Sequence, residues 1–245
     1  ILPAYGVPLS AATATLDNYV EVLARQAATT RAFANSLWLS IVAAALTAAF
    51  ALPLAYFVVW KRSRTAAALA ALSDVPYALP GVVLAIALIL VFLPPLPLVE
   101  VALYGTIWII LVAYLARFFV LALKPVVAGF QQLDPRLDEA ARVAGADFTT
   151  RARTILLPIL LPATLAGALL VFLTAFNELT VSALLWSART ETIGVVIFNL
   201  EDSGQPTLAA ALSIASIGVM LAVLGLLQAI ASRLPAGVLP WSDAR

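Results

Sequence analysis

Long apolar runs separated by short polar stretches dominate this chain of 245 residues. At about 1.5 Å per helical residue, a run of about 20 residues crosses the hydrocarbon core of a bilayer. The runs of about this length or more cover residues 33–60, 75–93, 104–123, 155–186 and 208–230. We therefore predict an all-α, polytopic membrane protein with a core of five spans.

Prolines and run length predict irregularities within these spans. Pro53 is expected to kink the first run. The second run is expected to begin irregularly, shielded by neighbouring helices, because its first residues include Pro76, Pro80 and Gly81. The fourth run is longer than one span needs, so we expect it to start in the interface, with the span proper beginning near Pro162.

Composition supports the membrane assignment and excludes several functions. The chain is 63% hydrophobic and 11% charged, whereas soluble domains are typically about 25% charged. A net charge of +1 argues against nucleic acid as a partner. Cysteine and histidine are both absent, which removes thiolate chemistry, the commonest metal ligand and the usual general base. We predict no catalytic residue, no metal site and no cofactor in this chain.

An island of charge interrupts the apolar pattern at residues 134–162. These 29 positions hold eight of the 27 charged residues, where even scattering would give about three. Asp134 can cap a helix that starts at Pro135, Gly145 can end that helix, and Asp147 can cap the next. The first helix would be amphipathic, with a small face for docking formed by Leu137, Ala140, Ala141 and Ala144, opposite Arg136, Asp138, Glu139 and Arg142.

The distribution of basic residues predicts the orientation in the membrane. With five spans, one side of the membrane receives ten basic residues: Lys61, Arg62, Arg64, Lys124, Arg136, Arg142, Arg151, Arg153, Arg233 and Arg245. The other side receives three: Arg25, Arg31 and Arg189. The positive-inside rule therefore predicts an extracytoplasmic N-terminus, a cytoplasmic C-terminus and a cytoplasmic charged island.

Seven positions of the charged island resemble a known signature: Glu139, Ala140, Ala141, Gly145, Ile155, Leu157 and Pro158. They resemble the EAA signature of the membrane subunits of ATP-binding-cassette importers. The resemblance implies a type I importer permease whose cytoplasmic coupling helices sit in a cleft of a separate ATPase subunit. ATP would then bind to that partner and not to this chain. Ala144 departs from the pattern, since a larger aliphatic residue commonly precedes the glycine.

Other segments resemble the ferric-iron importer permeases in particular. These are residues 16–19 (LDNY), 76–81 (PYALPG), 190–193 (TETI) and 198–200 (FNL). Two such halves are often fused in that family, and a chain that begins with Ile1 would fit the second half of a fusion. Ferric iron is therefore the expected solute, although putrescine, thiamine, phosphonate and molybdate permeases share the architecture.

The resemblance also predicts how the chain is divided and what it meets. Residues 1–32 would form an extracytoplasmic loop and short helix, 33–232 the permease domain with its coupling loop at 134–154, and 233–245 a cytoplasmic tail. Residues 187–207 would form an outer loop, in which 193–200 can dip back as a short helix. The implied partners are ATPase subunits, a second permease half, an extracytoplasmic solute-binding protein and membrane lipid. The implied location is the inner membrane.

Two charges fall within the predicted spans, Arg117 and Glu178. A charge at the bilayer centre costs about 2.5 to 3.5 kcal/mol on insertion scales, so each should face the bundle interior or a water-filled path. Glu178, with Asn177 and Thr180, is the candidate for the translocation path, and the alternatives are a hydrogen bond between packed helices or an interfacial position. Arg117 is expected to be structural, its side chain reaching toward the cytoplasmic face. Whether the two residues pair is left open.

Two other functions remain as alternatives. A secondary transporter driven by an ion gradient would use Glu178 as its proton-carrying group. A membrane scaffold would form a stable complex without solute flux. Neither accounts for the signature in the charged island.

Overall fold

The computed structural model describes residues 15–95 and 102–231, and every regular element in these ranges is helical. Four helical segments are long and apolar enough to cross a membrane: Ala27–Val59, Ile107–Gln132, Phe148–Phe176 and Pro206–Leu226. We name the helices that form them α2 (Ala27–Val59), α6 (Ile107–Gln132), α9 (Leu157–Phe176) and α12 (Pro206–Ala231). The predicted all-α membrane fold is confirmed. Residues 1–14 of the predicted segment 1–32, and the whole predicted tail 233–245, lie outside the described residues.

The remaining helices are short. They are α1 (Asp17–Val20), α3 (Arg64–Leu72), α4 (Asp74–Ala78), α5 (Gly81–Phe92), α7 (Arg136–Val143), α8 (Phe148–Arg151), α10 (Ser182–Leu185) and α11 (Ile193–Asp202), with π-helical turns at Glu21–Arg25 and Ala152–Leu156. The short helix expected at 193–200 is present as α11. Helix α3 was missed, although Ser63 caps it by accepting a hydrogen bond from the Ala66 N–H. Helix α6 runs nine residues beyond its predicted end at 123.

The second apolar run is broken by a sharp bend. The segments Arg64–Ala78 and Gly81–Phe92 meet at 110°. Leu79 and Pro80 between them are extended, as expected when a proline removes an N–H donor and restricts the residue before it. The irregular start is confirmed, and after the bend α5 continues for 12 residues, which is about 18 Å. The number of spans is five only if the bent pair counts as one.

Arg117 supports this bend. Its Nη1 donates a hydrogen bond to the carbonyl oxygen of Leu79, at 3.1 Å. That carbonyl belongs to an extended residue and lacks a helical partner at this position. Lys124, two turns along the same face of α6, pairs with Asp74 of α4 at 2.9 Å. Two basic side chains of α6 therefore hold α4, a structural use of Arg117.

The fourth run ends earlier than expected. We predicted an apolar segment over 155–186, but α9 ends at Phe176 and α10 begins at Ser182. The start of the run is confirmed as continuous helix, since α8, a π-helical turn and α9 follow one another from Phe148. The early end places Glu178 in a loop and not in a span. Its carboxylate binds backbone N–H groups there, an alternative to helical pairing that apolar residues cannot offer.

The described residues form two compact units. The first contains 15–39, 80–95, 102–113 and 175–225, and the second contains 40–79, 114–174 and 226–231. In the second unit α9 approaches α6 closely at Gly167, where an added Cβ would lie 2.8 Å from the carbonyl oxygen of Ala122. Such contact requires a residue without a side chain, as is common between helices in membranes.

Gly167→Ala is expected to destabilise the protein by about 1 to 3 kcal/mol, because the new methyl group must push the α6 backbone away. The matched control is Gly218→Ala on α12, where an added Cβ meets nothing within 4 Å. Alanine favours helix over glycine, so the control should be neutral or slightly stabilising. Thermal unfolding of the detergent-solubilised protein measures both. Equal midpoints for the two variants would contradict this contact.

Candidate functional site

Helix α7 is closed at both ends by local hydrogen bonds. The Asp134 carboxylate accepts from the N–H of Arg136 at 2.9 Å. At the other end Gly145 has φ of +86°, its N–H donates to Arg142 O, and the N–H of Ala146 donates to Ala141 O. These two bonds form a Schellman motif, which ends a helix and reverses the chain. The predicted roles of Asp134 and Gly145 in shaping α7 are confirmed.

Helix α8 begins at the predicted cap. The Asp147 carboxylate accepts from the N–H of Thr150 at 3.0 Å. Hydrogen bonds from the Thr150 hydroxyl and the same N–H hold the pKa of Asp147 below its ordinary value. A lowered pKa means that the cap stabilises α8 above the ordinary pKa and is lost as the pH falls through the folded value. At neutral pH the cap is therefore fully formed.

An ion pair joins α7 to α8. Arg151 Nη1 lies 2.7 Å from Asp138 Oδ2, and the two side chains are only 11% and 13% exposed. Arg151 Nε also donates to the carbonyl oxygen of Asp147. We call the pair Asp138–Arg151 the clamp. The clamp corrects the expectation that Asp138 belongs to a solvated face, because its carboxylate faces α8. The feature of the sequence that could have predicted the clamp is a pair of opposite charges, Asp138 and Arg151, on either side of the predicted chain reversal at Gly145.

The signature residues lie on this hairpin and the helix that follows. Glu139, Ala140 and Ala141 are on α7, and Glu139 and Ala140 are exposed, whereas Ala141 is half-buried. Gly145 forms the reversal. The others follow α8: Ile155 in the π-helical turn, and Leu157 and Pro158 in the first turn of α9. All seven belong to the second unit.

The α7 surface carries apolar side chains that the described chain leaves uncovered. Val143 is 91% exposed and Leu137 is 48% exposed. Ala140 and Ala144, also predicted for the small docking face, are exposed as well. An apolar surface on a short, charged helix is suited to binding another protein. Within the described residues, these apolar side chains of α7 are therefore accessible.

Glu178 is buried in the loop between α9 and α10. Its side chain accepts from the N–H groups of Val181 and Ser182 and from the hydroxyl groups of Thr180 and Ser182. Glu178 is 7% exposed, and Gly194 of α11 packs against its backbone so closely that a Cβ would lie 2.8 Å from the Glu178 carbonyl oxygen. All of these hydrogen bonds are made within residues 178–182, whereas the alternative predicted from sequence was a hydrogen bond between packed helices.

Asn177, next in the chain to Glu178, lines a cavity. The cavity has a volume of about 720 Å³ and lies in the first unit, between the α9–α10 loop, α11 and α12. Asn177 Nδ2 also lies 2.9 Å from Met220 Sδ. The polar residues that line the cavity come from the α9–α10 loop, α11 and α12, and they are Asn177, Glu201, Ser213 and Ser216. Of the three predicted path residues, Asn177 lines this cavity, while the side chains of Glu178 and Thr180 bind each other.

Glu178→Ala is expected to destabilise the first unit strongly, because it leaves buried N–H and O–H donors unpaired at about 1 to 3 kcal/mol each. Glu178→Gln should be intermediate, since one carboxylate oxygen becomes an NH₂ group that faces donors. Glu201→Ala, which removes an exposed carboxylate of α11, is the control. Thermal unfolding orders the three variants. A Glu178→Ala protein as stable as the control would show that the loop does not need this carboxylate.

The loop after α10 is held against the first turns of α2, a site that sequence did not reveal. Asn35 Nδ2 donates to the carbonyl oxygens of Arg189 and Glu191, and Ser36 Oγ accepts from the N–H of Ile193. Arg31 pairs with Glu191 at 3.4 Å. Burial opposes ionisation of Glu191, but hydrogen bonds from its own N–H and from Arg31 hold its pKa below the ordinary value. Residues 189–193 are therefore fixed in place.

Curated proteins similar to this chain are transport permeases. The probable ABC transporter permease protein y4fN of Sinorhizobium fredii is 30% identical over 239 residues, covering 97% of this chain and 42% of the relative. The Fe(3+)-transport system permease protein FbpB 2 of Haemophilus influenzae is 30% identical, covering 71% and 34%. The trehalose/maltose permease MalG of Thermococcus litoralis is 36% identical, covering 51% and 47%. The chain spans less than half the length of these relatives.

A solved structure and a family model agree with this likeness. A chain of the bacterial alginate ABC transporter, crystallised with an alginate pentasaccharide-bound periplasmic protein, matches with a TM-score of 0.70 at 19% identity. The match covers 90% of this chain and 84% of that one, and it shows the fold. The family model of binding-protein-dependent transport system inner membrane components matches residues 41–235. The chain, with its spans and clamped hairpin, belongs to the family of binding-protein-dependent transport system inner membrane components.

Proposed function

We propose that this chain is the transmembrane permease part of an ABC importer and couples solute passage to a separate ATPase. The observation that carries the proposal is the clamped hairpin of α7 and α8, which leaves Glu139, Ala140 and the apolar Val143 exposed. Because α7 is capped at both ends and joined to α8 by the clamp, the two helices can move as one body and transmit a displacement. Membership of the inner-membrane transport family supports the proposal.

The proposed mechanism is alternating access. Two ATPase subunits close on ATP, α7 and α8 move with them, and the membrane helices change between inward-open and outward-open states. The orientation from the positive-inside rule places α7 on the ATPase side and residues 187–207 on the side of a solute-binding protein. A second permease half completes the path, which Asn177 helps to line from the cavity in the first unit. ATP is bound by the ATPase partner alone.

Ferric iron is the proposed solute. It is supported by segments that resemble ferric-iron permeases and by the 30% identity to FbpB 2, a named Fe(3+)-transport permease. The trehalose/maltose relative makes a sugar the competing solute class. Competition in uptake assays separates the two. Cells that express the complete transporter should accumulate ferric iron, and excess maltose should not reduce this uptake.

The test of coupling is a disulfide crosslink from α7. The chain has no cysteine, so Ala141→Cys gives a single reactive site, to be paired with a cysteine in the cleft of the ATPase. The crosslink should form in membranes and change when ATP is added. Ala188→Cys, in the exposed loop after α10, is the matched control and should not crosslink. Failure of the Ala141 crosslink, with both proteins abundant and folded, would return a gradient-driven transporter to consideration.

A further inference from the structure

Four aromatic rings lie together where the hairpin of α7 and α8 contacts the membrane helices α2 and α6. Tyr56 of α2 lies with ring centroids 5.7 Å from Phe148 of α8 and 6.2 Å from Phe130 of α6. Trp60, just after α2, lies 5.4 Å from Phe130 and 6.0 Å from Tyr56. We call these four residues the aromatic cluster. All of them belong to the second unit.

The aromatic cluster is continuous with the clamp. The Arg151 guanidinium lies 5.9 Å from the centroid of the Phe148 ring, and the same guanidinium binds Asp138 of α7. A chain of direct contacts therefore runs from α7 through Arg151 and Phe148 to α2 and α6. Each contact is a direct one between neighbouring side chains, and side chains in contact can transmit displacement.

Phe148 is not explained by burial alone. Its ring remains 54% exposed, although it stands on a helix of only four residues. A side chain that served only to fill a core would be covered by its neighbours. Phe148 instead bridges Arg151 on one side and Tyr56 on the other. Phe148 therefore connects the clamp to α2.

We propose that Phe148 is the positioning residue that passes the displacement of α7 to the C-terminal parts of α2 and α6 through the aromatic cluster. This inference rests on the proposed coupling function. The clamp makes α7 and α8 move together, and the Phe148 ring then presses on Tyr56. Tyr56 contacts Phe130, so α6 follows. Removal of the ring separates movement of the hairpin from movement of the membrane helices.

The experiment compares two reporter positions in the complete transporter with its ATPase. One fluorophore is attached at Arg136→Cys on α7 and, in a separate sample, at Gln131→Cys near the end of α6; both positions are exposed. ATP is added to each sample and the change in fluorescence is recorded. The test variant is Phe148→Ala. Phe57→Ala is the matched control, because Phe57 also contacts the Tyr56 ring but lies outside the hairpin.

Phe148→Ala should keep the ATP response at position 136 and reduce the response at position 131 by about threefold or more. Phe148→Tyr and Phe57→Ala should keep both responses. Phe148→Leu, which retains apolar volume, should show a smaller loss and decides the matter if the alanine variant does not assemble. An undiminished response at Gln131 in the assembled variants overturns the relay. No response at position 136 in the protein with an intact Phe148 overturns the coupling function as well.

Discussion

Gly145→Pro should abolish ATP-driven uptake while leaving the protein in the membrane. Gly145 has φ of +86°, whereas proline is fixed near −65°, and its N–H donates to Arg142 O, a bond that proline cannot make. The chain would then fail to reverse between α7 and α8, and Arg151 would lose Asp138. The seven predicted coupling residues would no longer be presented together.

A graded series at this position separates backbone conformation from other effects. An added Cβ at Gly145 meets nothing within 4 Å, so Gly145→Ala tests the left-handed conformation alone, at a cost of about 1 to 2 kcal/mol. Asparagine tolerates that conformation better, so uptake of radiolabelled ferric iron should fall in the order Gly, Asn, Ala, Pro. Glu139→Lys, which reverses an exposed charge on α7, should also abolish uptake without unfolding the helix. Normal uptake by both Gly145→Pro and Glu139→Lys would contradict the coupling role.

Arg151→Met should separate α7 from α8, because it removes the ion pair that joins them. Removing one partner of a largely buried ion pair typically costs about 3 to 5 kcal/mol, because the other charge is left without compensation. Here that charge is the Asp138 carboxylate, only 13% exposed. Hydrogen exchange of the α7 amides measures the opening directly, and a loss of about 3 kcal/mol corresponds to roughly a hundredfold faster exchange.

The double variant Asp138→Asn with Arg151→Met is the control for this pair. Without a buried charge left over, much of the protection of α7 should return. The exposed pair Arg25 and Glu21 provides a second comparison, since an exposed i,i+4 pair contributes little. Arg25→Met should leave exchange throughout the hairpin unchanged. If the double variant exchanges as fast as Arg151→Met, the clamp does not act as a pair.

The hairpin of α7 and α8 was largely predictable from the sequence, because its shape depends on hydrogen bonds between residues close together in the chain. Asp134, Gly145 and Asp147 each act on backbone groups within four residues, so their effects can be inferred from spacing alone. The clamp and the aromatic cluster depend on which helix faces pack together after folding. The periodicity of apolar residues along the chain does not predict this pairing of faces. The bend at Leu79 and Pro80 was expected as an irregularity, but its angle of 110° depends on tertiary contacts of α4 with α6.

The loop around Glu178 shows the limit of hydropathy. Residues 155–186 are apolar enough to be taken as one segment, yet a single carboxylate that binds backbone N–H groups ends α9 ten residues early. The Glu178 charge was noticed in the sequence, but it was interpreted only as a candidate for the translocation path. In the structure it also marks the end of α9. A carboxylate followed by threonine and serine within four residues favours such a cap over a continued helix.

The close contact of Gly194 with the Glu178 backbone has a consequence for engineering solute preference. Any side chain at position 194 would move α11 against the α9–α10 loop, so a library that includes this position would mostly recover misfolded proteins. Phe198, Ser213 and Ile217 line the same cavity from α11 and α12 and are half-buried or exposed. A library restricted to those three side chains should alter selectivity while retaining expression, since it leaves the frame of the cavity intact.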